Sequence, residues 1–357
     1  MIGRIVSVLV KRAIFLTISL VIVVILTAMI MGATGYDETV WKAIIHEQVR
    51  AYQMALLKRH AKNVEQLVKA YEEKLEKIYG LNKPWYIRVL PLAFNTLLLR
   101  LGDVMTRDVA AVAGLQWPAK VSTVILTVLP RTIIMITIAE LICAAIALPL
   151  APWLAYHRGT LADKAAVSYA ALFNSVPVWW LAMIFIFFFG YQLRIAPQDY
   201  LGVITVLNEF WKNPAYYFVQ LLYYAYVPII VVVICFLGGW IYSIRAVTLR
   251  VVAEDFVTAA KAKGLPDKLI ARRYILRVVA GPVATYVILS LAGSIGGFII
   301  TESVFDWPGM GTLYYVSIIS SDIPTLLGLI YITTAVYVVA RFILEVLQVV
   351  FDPRVRY

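Results

Sequence analysis

Apolar residues gather into six long runs, near 13–33, 131–153, 166–190, 219–242, 279–301 and 325–349, with charged and amide side chains returning between them. Each run is long enough to cross a hydrocarbon layer about 30 Å thick, which takes roughly 20 helical residues. The pattern predicts an all-α, polytopic membrane protein with six transmembrane helices. The first run is longer than a signal-peptide core and has no convincing small-residue cleavage site before Gly35, so it is expected to stay as a span. The stretch 35–120 reads differently. Trp41, Ile45, Val49, Tyr52 and Leu56, then Val64, Leu67, Tyr71, Leu75 and Ile78, recur at three- and four-residue steps among polar residues. This spacing predicts an amphipathic helix, broken around His60 to Asn63, that packs on the protein or on the membrane surface. Leu90 to Leu101 is too short to cross and is expected to lie in the interface. The chain thus divides into a tail and first span (1–34), a large helical extracytoplasmic segment (35–120) and a core of five spans (121–357).

Charge orients this layout. Arg4, Lys11 and Arg12 precede the first run, and His157, Arg158 and Lys164 fill the second inside loop. The loop 245–277 carries Arg245, Arg250, Lys261, Lys263, Lys268, Arg272, Arg273 and Arg277, and Arg354 and Arg356 end the chain. Glu302 to Pro324 has no Lys or Arg. The positive-inside rule then puts both termini and the 245–277 loop in the cytoplasm of a multi-pass protein of the cell membrane. At 62% hydrophobic and 15% charged residues the chain cannot cover a soluble globule, and its net charge of +11 sits at span ends, which argues for lipid anchoring and against nucleic acid. Cys143 and Cys235 fall inside apolar runs without ligand spacing to the three histidines, so neither a disulfide nor a metal site is expected.

The sharpest local pattern lies in the basic loop. Glu254 and Asp255 open a short segment, Lys261 and Lys263 close it, Gly264 follows and Pro266 comes two residues later. Acidic start, basic end, Gly and then Pro describe a short, well-stopped helix. It is about 12 Å long, and Phe256, Ala259, Ala260 and Lys263 share one of its faces. Small alanines permit close approach to a groove and Phe256 could fill a pocket in it. The segment reads as a cytoplasmic docking element.

Catalytic motifs are absent: there is no phosphate-binding loop, no His-Glu-x-x-His and no Gly-x-Ser-x-Gly. The chain is expected to be non-catalytic. Arg341 and Glu345, four residues apart, are expected to form a structural ion pair. Glu140 is the one deep carboxylate, either hydrogen-bonded in the packing or lining a polar pathway. Asn174, Ser175 and Pro177 could bend the third span toward a pathway, or supply polarity for helix packing. Phe305, Asp306, Trp307, Pro308 and Gly309, with Glu302 just before them, either shape an outer gate and a partner surface or anchor and punctuate a helix end.

Taken together these fragments resemble a known family. Asp255 to Leu265, with Pro282 eighteen positions after Gly264, resembles the cytoplasmic "EAA" loop of ABC-importer permeases in their dipeptide/oligopeptide form. Gly80 to Pro84, Leu101 to Asp103, Asn174 to Trp179, Gly296 to Gly311 and the tail Asp352 to Arg356 fall in the order of the first, B-type permease. Thr258 stands where the general motif has Glu, as is common in the peptide branch, and the Gly-Asp-Pro usual after the first span is missing near Gly32 to Gly35. The helix from Asp37 to Tyr79 is also longer than the family's usual segment.

The resemblance implies a permease subunit completed by a second, C-type permease, with two ABC ATPases inside and an extracytoplasmic substrate-binding protein outside. It implies no cofactor in this chain, ATP and Mg being held by the ATPases. It implies that Asp255, Phe256, Ala259, Ala260, Lys261, Lys263 and Gly264 contact the ATPase, and that cargo is a di- or oligopeptide, with oligosaccharides and nickel chelates as alternatives. A secondary transporter driven by an ion would instead need a deep acid and histidine relay and inverted broken-helix repeats.

Overall fold

The computed structural model describes residues 2–58 and 63–351, and among these it is helical with a single isolated bridge between Asp103 and Lys120. His60 and the tail Asp352 to Arg356 lie outside the described residues. The chain begins with α1 (Ile2–Ala33), a span with little of its surface covered by the rest of the protein. Then α2 (Tyr36–Lys58) and α3 (Val64–Ile78) pack on each other through Ile45, Val49 and Leu75. Tyr79 stacks on Trp41 with centroids 4.6 Å apart, and Tyr52 meets Tyr71 at 4.3 Å. Ile45, Val49, Tyr71 and Leu75 of the apolar stripe read from the sequence therefore form the inner seam of a helical pair, whereas Leu67 and Ile78 are exposed.

Next, α4 (Trp85–Leu97) takes up most of the short apolar stretch and packs on α1. Val89 and Ala93 pack with Val24 and Ala28 of α1. At Gly32 a Cβ would fall 2.7 Å from Val89 Cγ1, so a larger residue would force α1 and α4 to shift here. The short α5 (Arg107–Ala113) leads to α6 (Val121–Tyr156), a 36-residue span that starts ten residues earlier than its apolar run. One turn of α6, Ile133–Thr137, is widened into a π-turn soon after Pro130, whose ring removes a helical N–H.

The third apolar run is not one straight helix. α7 (Leu161–Ser175) and α8 (Val178–Gln192) meet at 90°, because Val176 and Pro177 are both extended and proline disfavours helix in the residue before it. A short α9 (Val203–Glu209) precedes α10 (Pro214–Val252), whose 39 residues reach about 58 Å, well beyond the layer. α6 and α10 run side by side through small and aliphatic residues that include Cys143, Ala147, Ala151, Ile241 and Ile244. α7 crosses α10 where a Cβ on Gly238 would lie 2.7 Å from Ala170 Cα.

After α10 come α11 (Asp255–Ala262) and α12 (Asp267–Ser294). The expected fifth span ran on to residue 301, but the helix stops at Ser294 and the chain turns at Gly296 and Gly297, the latter at φ +76°. The apolar residues beyond it belong to α13 (Ile299–Val304), followed by α14 (Met310–Ile319) and the last span α15 (Ile323–Phe351). α15 packs on α1, α4, α6, α12 and α14. By length and composition there are five spanning helices among the described residues, or six when the bent α7–α8 pair counts as one. The polytopic all-α expectation stands, with span three broken and span five shortened.

Candidate functional site

α11 is built as its sequence demands. Glu254 is extended at the helix start, and Val257 N–H reaches its carbonyl at 3.0 Å. At the other end Gly264, at φ +72°, donates to Lys261 O (2.9 Å) and Leu265 donates to Ala260 O (3.3 Å). This pair of bonds is a Schellman closure, and the left-handed residue it needs is a glycine. The helix stays short because both ends are chemically stopped.

The two faces of α11 have different neighbours. Val257 and Ala260, three residues apart, are buried in the cluster that holds Ala147, Ala151 and Leu154 of α6, Ile241 and Ile244 of α10, and Ile270 and Ile275 of α12. Asp255, Phe256, Ala259, Lys261, Lys263 and Gly264 are exposed, Phe256 at 37% despite its aromatic ring. The shared face read from the sequence is thus divided: Ala260 turns inward onto the spans, whereas Phe256, Ala259 and Lys263 face out. Tyr156, the last residue of α6, steadies the arrangement. Its hydroxyl donates to Asp267 of α12, and Lys261 Nζ lies 5.3 Å from its ring centroid.

At the opposite end of the bundle, residues 302–312 form a knot with Arg131 and Thr132 of α6. Gly309 precedes α14 and has no side chain with which to cap it. Glu302 does so from α13: its Oε2 accepts from the N–H of Gly311 (2.9 Å) and of Thr312 (3.4 Å), and its Oε1 from Thr132 Oγ1 (3.1 Å). Thr132 Oγ1 in turn accepts from Met310 N–H at 2.6 Å. The orphan N–H groups of the first turn of α14 are thereby met by two side chains distant in sequence. Burial pushes the Glu302 carboxyl up to about 7, against the opposing pull of these donors. A Cβ on Gly309 would sit 2.3 Å from Glu302 Oε2 and 2.4 Å from Thr132 Oγ1, so a side chain there would push these two acceptors out of place.

Arg131 completes the knot, donating to the carbonyls of Val112 (2.9 Å), Ala113 (2.9 Å) and Pro308 (3.2 Å). The Trp307 indole donates to Arg131 O at 3.0 Å. Phe305 and Trp307 are 1% and 0% exposed, so neither ring offers a surface to a partner. Of the two roles open to this segment in the sequence, a partner-facing aromatic surface is not what the structure holds. The aromatics are internal, so Trp307 is no interfacial anchor either.

Glu140 is buried between α6 and α10, its Oε2 accepting from the Trp240 indole, and Trp240 packs edge-on against Tyr286 of α12 at 4.8 Å. This favours the hydrogen-bonded packing role. Glu140→Gln, which keeps an acceptor, is expected to melt close to the parent. Glu140→Ala strands the indole N–H and is expected to cost about 1–3 kcal/mol, read as a lower Tm. Asn174, Ser175 and Pro177 are exposed at the 90° break. Ser175 Oγ back-bonds to Ala171 O (2.9 Å), and Asn174 lies close to α10, where a Cβ on Gly239 would be 3.3 Å from Asn174 Oδ1. The three residues flank the bend, far in the chain from the α11 face.

Two polar ties went unread in the sequence. Asp163, in the first turn of α7, takes both Nε and Nη2 of Arg245 on α10, the latter at 2.8 Å, with little of either side chain exposed. Asp322 precedes α15 and accepts from the N–H groups of Met105 (2.6 Å), Thr106 (3.2 Å) and Thr325 (3.1 Å). Asp322-Ile323-Pro324-Thr325 is a helix-start signature that could have been found. The Asp163 pair carries no such local signal. Glu345 takes both Arg12 (3.2 Å) and the expected Arg341 (3.9 Å), tying α1 to α15.

Comparison with known proteins agrees with this architecture. Residues 147–357 match the model of the binding-protein-dependent transport system inner membrane component family, a stretch that includes α7 to α15 and the whole of α11. The chain is 26% identical over 294 residues to the oligopeptide transport system permease protein AppB of Bacillus subtilis, covering 80% of this chain and 85% of that one. It is 24% identical over 233 residues to the dipeptide transport system permease protein DppB of Escherichia coli K12, covering 61% and 68%. It is 24% identical over 285 residues to the metal-staphylopine import system permease protein CntB of Staphylococcus aureus, covering 78% and 80%. With a family match over more than half its length, on a helical bundle that presents a capped helix at one end, this chain belongs to the binding-protein-dependent transport system inner membrane component family.

Proposed function

We propose that this chain is the B-type permease half of an ATP-driven importer of di- or oligopeptides, with α11 as the element that receives motion from an ABC ATPase. The observation that carries the reading is the division of α11. One face is bolted to three spans by Val257 and Ala260, and the other leaves Phe256, Ala259 and Lys263 exposed on a rigid, doubly stopped helix. A helix held this way moves the ends of α6, α10 and α12 when its outer face is displaced. In this reading α11 and both termini are cytoplasmic, a C-type permease completes the pore, two ATPases binding ATP and Mg dock inside, and a substrate-binding protein delivers cargo to the opposite side.

The peptide assignment is supported by the names of AppB and DppB, and CntB supports a second reading in which the cargo is a metal chelate. The ligand that co-purifies with the partner binding protein distinguishes these. An ion-driven carrier is less well supported, since Glu140 is engaged by a tryptophan indole.

Docking itself is tested with Gly264→Val. Valine disfavours the positive φ of this position by about 1–2 kcal/mol, which loosens the closure of α11 without touching a span. The variant is expected to insert normally, to pull down less ATPase in detergent and to lose substrate-stimulated hydrolysis in vesicles. Parental pull-down and stimulation would remove α11 from the coupling path.

A further inference from the structure

We propose that the groove between the α11-side ends of α6 and α12 is a binding site for an anionic phospholipid. The groove has a volume of about 380 Å³ and a graded wall. Trp153, His157 and Lys268 line it at the span ends, and Leu148, Pro149 and Leu276 line it deeper. α6 runs toward this end of the bundle and α12 away from it, so His157 and Lys268 share the polar end while Leu148 and Leu276 share the apolar one. Leu148 to Tyr156 spans about 12 Å of helix axis, the depth of a headgroup followed by the upper part of an acyl chain.

Three observations select a lipid with a negative head. Leu148, Trp153 and Leu276 are 40%, 48% and 43% exposed, an apolar wall left open along the side of the bundle. Trp153, beside the His157 ring at 4.7 Å, is the side chain expected at headgroup depth. Lys268 is exposed at the groove mouth beside Asp267, the one acidic residue in the wall, which accepts the Tyr156 hydroxyl; Arg272 and Arg273, exposed just outside the lining, tip the local charge to positive. Basic pockets between spans at a cytoplasmic surface suit phosphate headgroups. The headgroup level at this end rests on the orientation proposed above; the polarity of the groove does not.

The test uses the purified complex in nanodiscs containing equal amounts of phosphatidylglycerol and phosphatidylcholine, followed by native mass spectrometry of the lipids retained after delipidation. The parent is expected to retain phosphatidylglycerol selectively. Lys268→Glu, which repels the phosphate, and Leu276→Trp, which fills the apolar end, are each expected to lose most of that retention, while Lys164→Glu, an equal charge change outside the groove, keeps it. Equal retention in all four proteins, or no preference for phosphatidylglycerol, overturns the site. Cross-linking of Trp153→Cys to an ATPase loop would also overturn it, by showing that protein fills the groove. Lipid retention is read without ATP hydrolysis, so its failure is distinct from failure of the coupling role of α11.

Discussion

Ala260→Asp is expected to abolish substrate-stimulated ATP hydrolysis and transport while the spans still insert. Ala260 is 3% exposed, and its methyl lies in the cluster that seats α11 on α6, α10 and α12. An unpaired carboxylate in such a place costs about 3–5 kcal/mol. The inward face of α11 offers little against that: Val257 is its one other buried side chain, and full burial of a valine is worth about 1.5–3 kcal/mol. The charge therefore wins, and α11 lifts away instead of burying it. Limited proteolysis of reconstituted complex should show new cleavage between residues 253 and 266, with the membrane domain otherwise intact. Stimulated hydrolysis near the parental rate would mean that α11 tolerates the charge and that its seat is not what transmits motion.

The second large effect is expected at the opposite end. Glu302→Ala removes the acceptor for Gly311 N–H, Thr312 N–H and the Thr132 hydroxyl at a site with no exposed surface. At about 1–3 kcal/mol for each stranded donor, part of it relieved by relaxation, the loss is on the order of 3–6 kcal/mol. That is enough to unfold the start of α14 from α6 and to lower Tm sharply in detergent. Glu302→Gln keeps a carbonyl acceptor and is expected to fall between the two. A Tm for Glu302→Ala within a degree or two of the parent would show that the knot is not held by this carboxyl.

Which features were legible in the chain follows from the range of the forces involved. Span count, the proline break at Val176-Pro177 and the stopped helix at Asp255 to Gly264 depend on hydropathy and local backbone chemistry, and all three are present in the structure. Hydropathy does not register a turn made by apolar residues. Ile299 and Ile300 therefore extended the fifth apolar run past Gly296-Gly297, although the chain has reversed into a new helix by that point. The orientation of Ala260 was hidden for a related reason. Phe256 and Ala259 are as apolar as Val257 and Ala260, so periodicity on an eight-residue helix could not say which pair faces the spans. Glu302 capping a helix nine residues ahead, and Asp163 meeting Arg245 across 82 positions, are tertiary facts with no local period to reveal them.

The central claim is that the outer face of α11 is the surface an ATPase grips. It is tested most directly by a single cysteine at Phe256 in a chain lacking the buried Cys143 and Cys235. In the assembled complex a short bifunctional maleimide should join Phe256→Cys to a cysteine in the ATPase groove, in a yield that changes when ATP is added. A cysteine at Val257, on the inward face, should not react. Cross-linking from Val257→Cys with none from Phe256→Cys, or labelling of Phe256→Cys by an impermeant reagent from the outside of intact cells, would contradict the account.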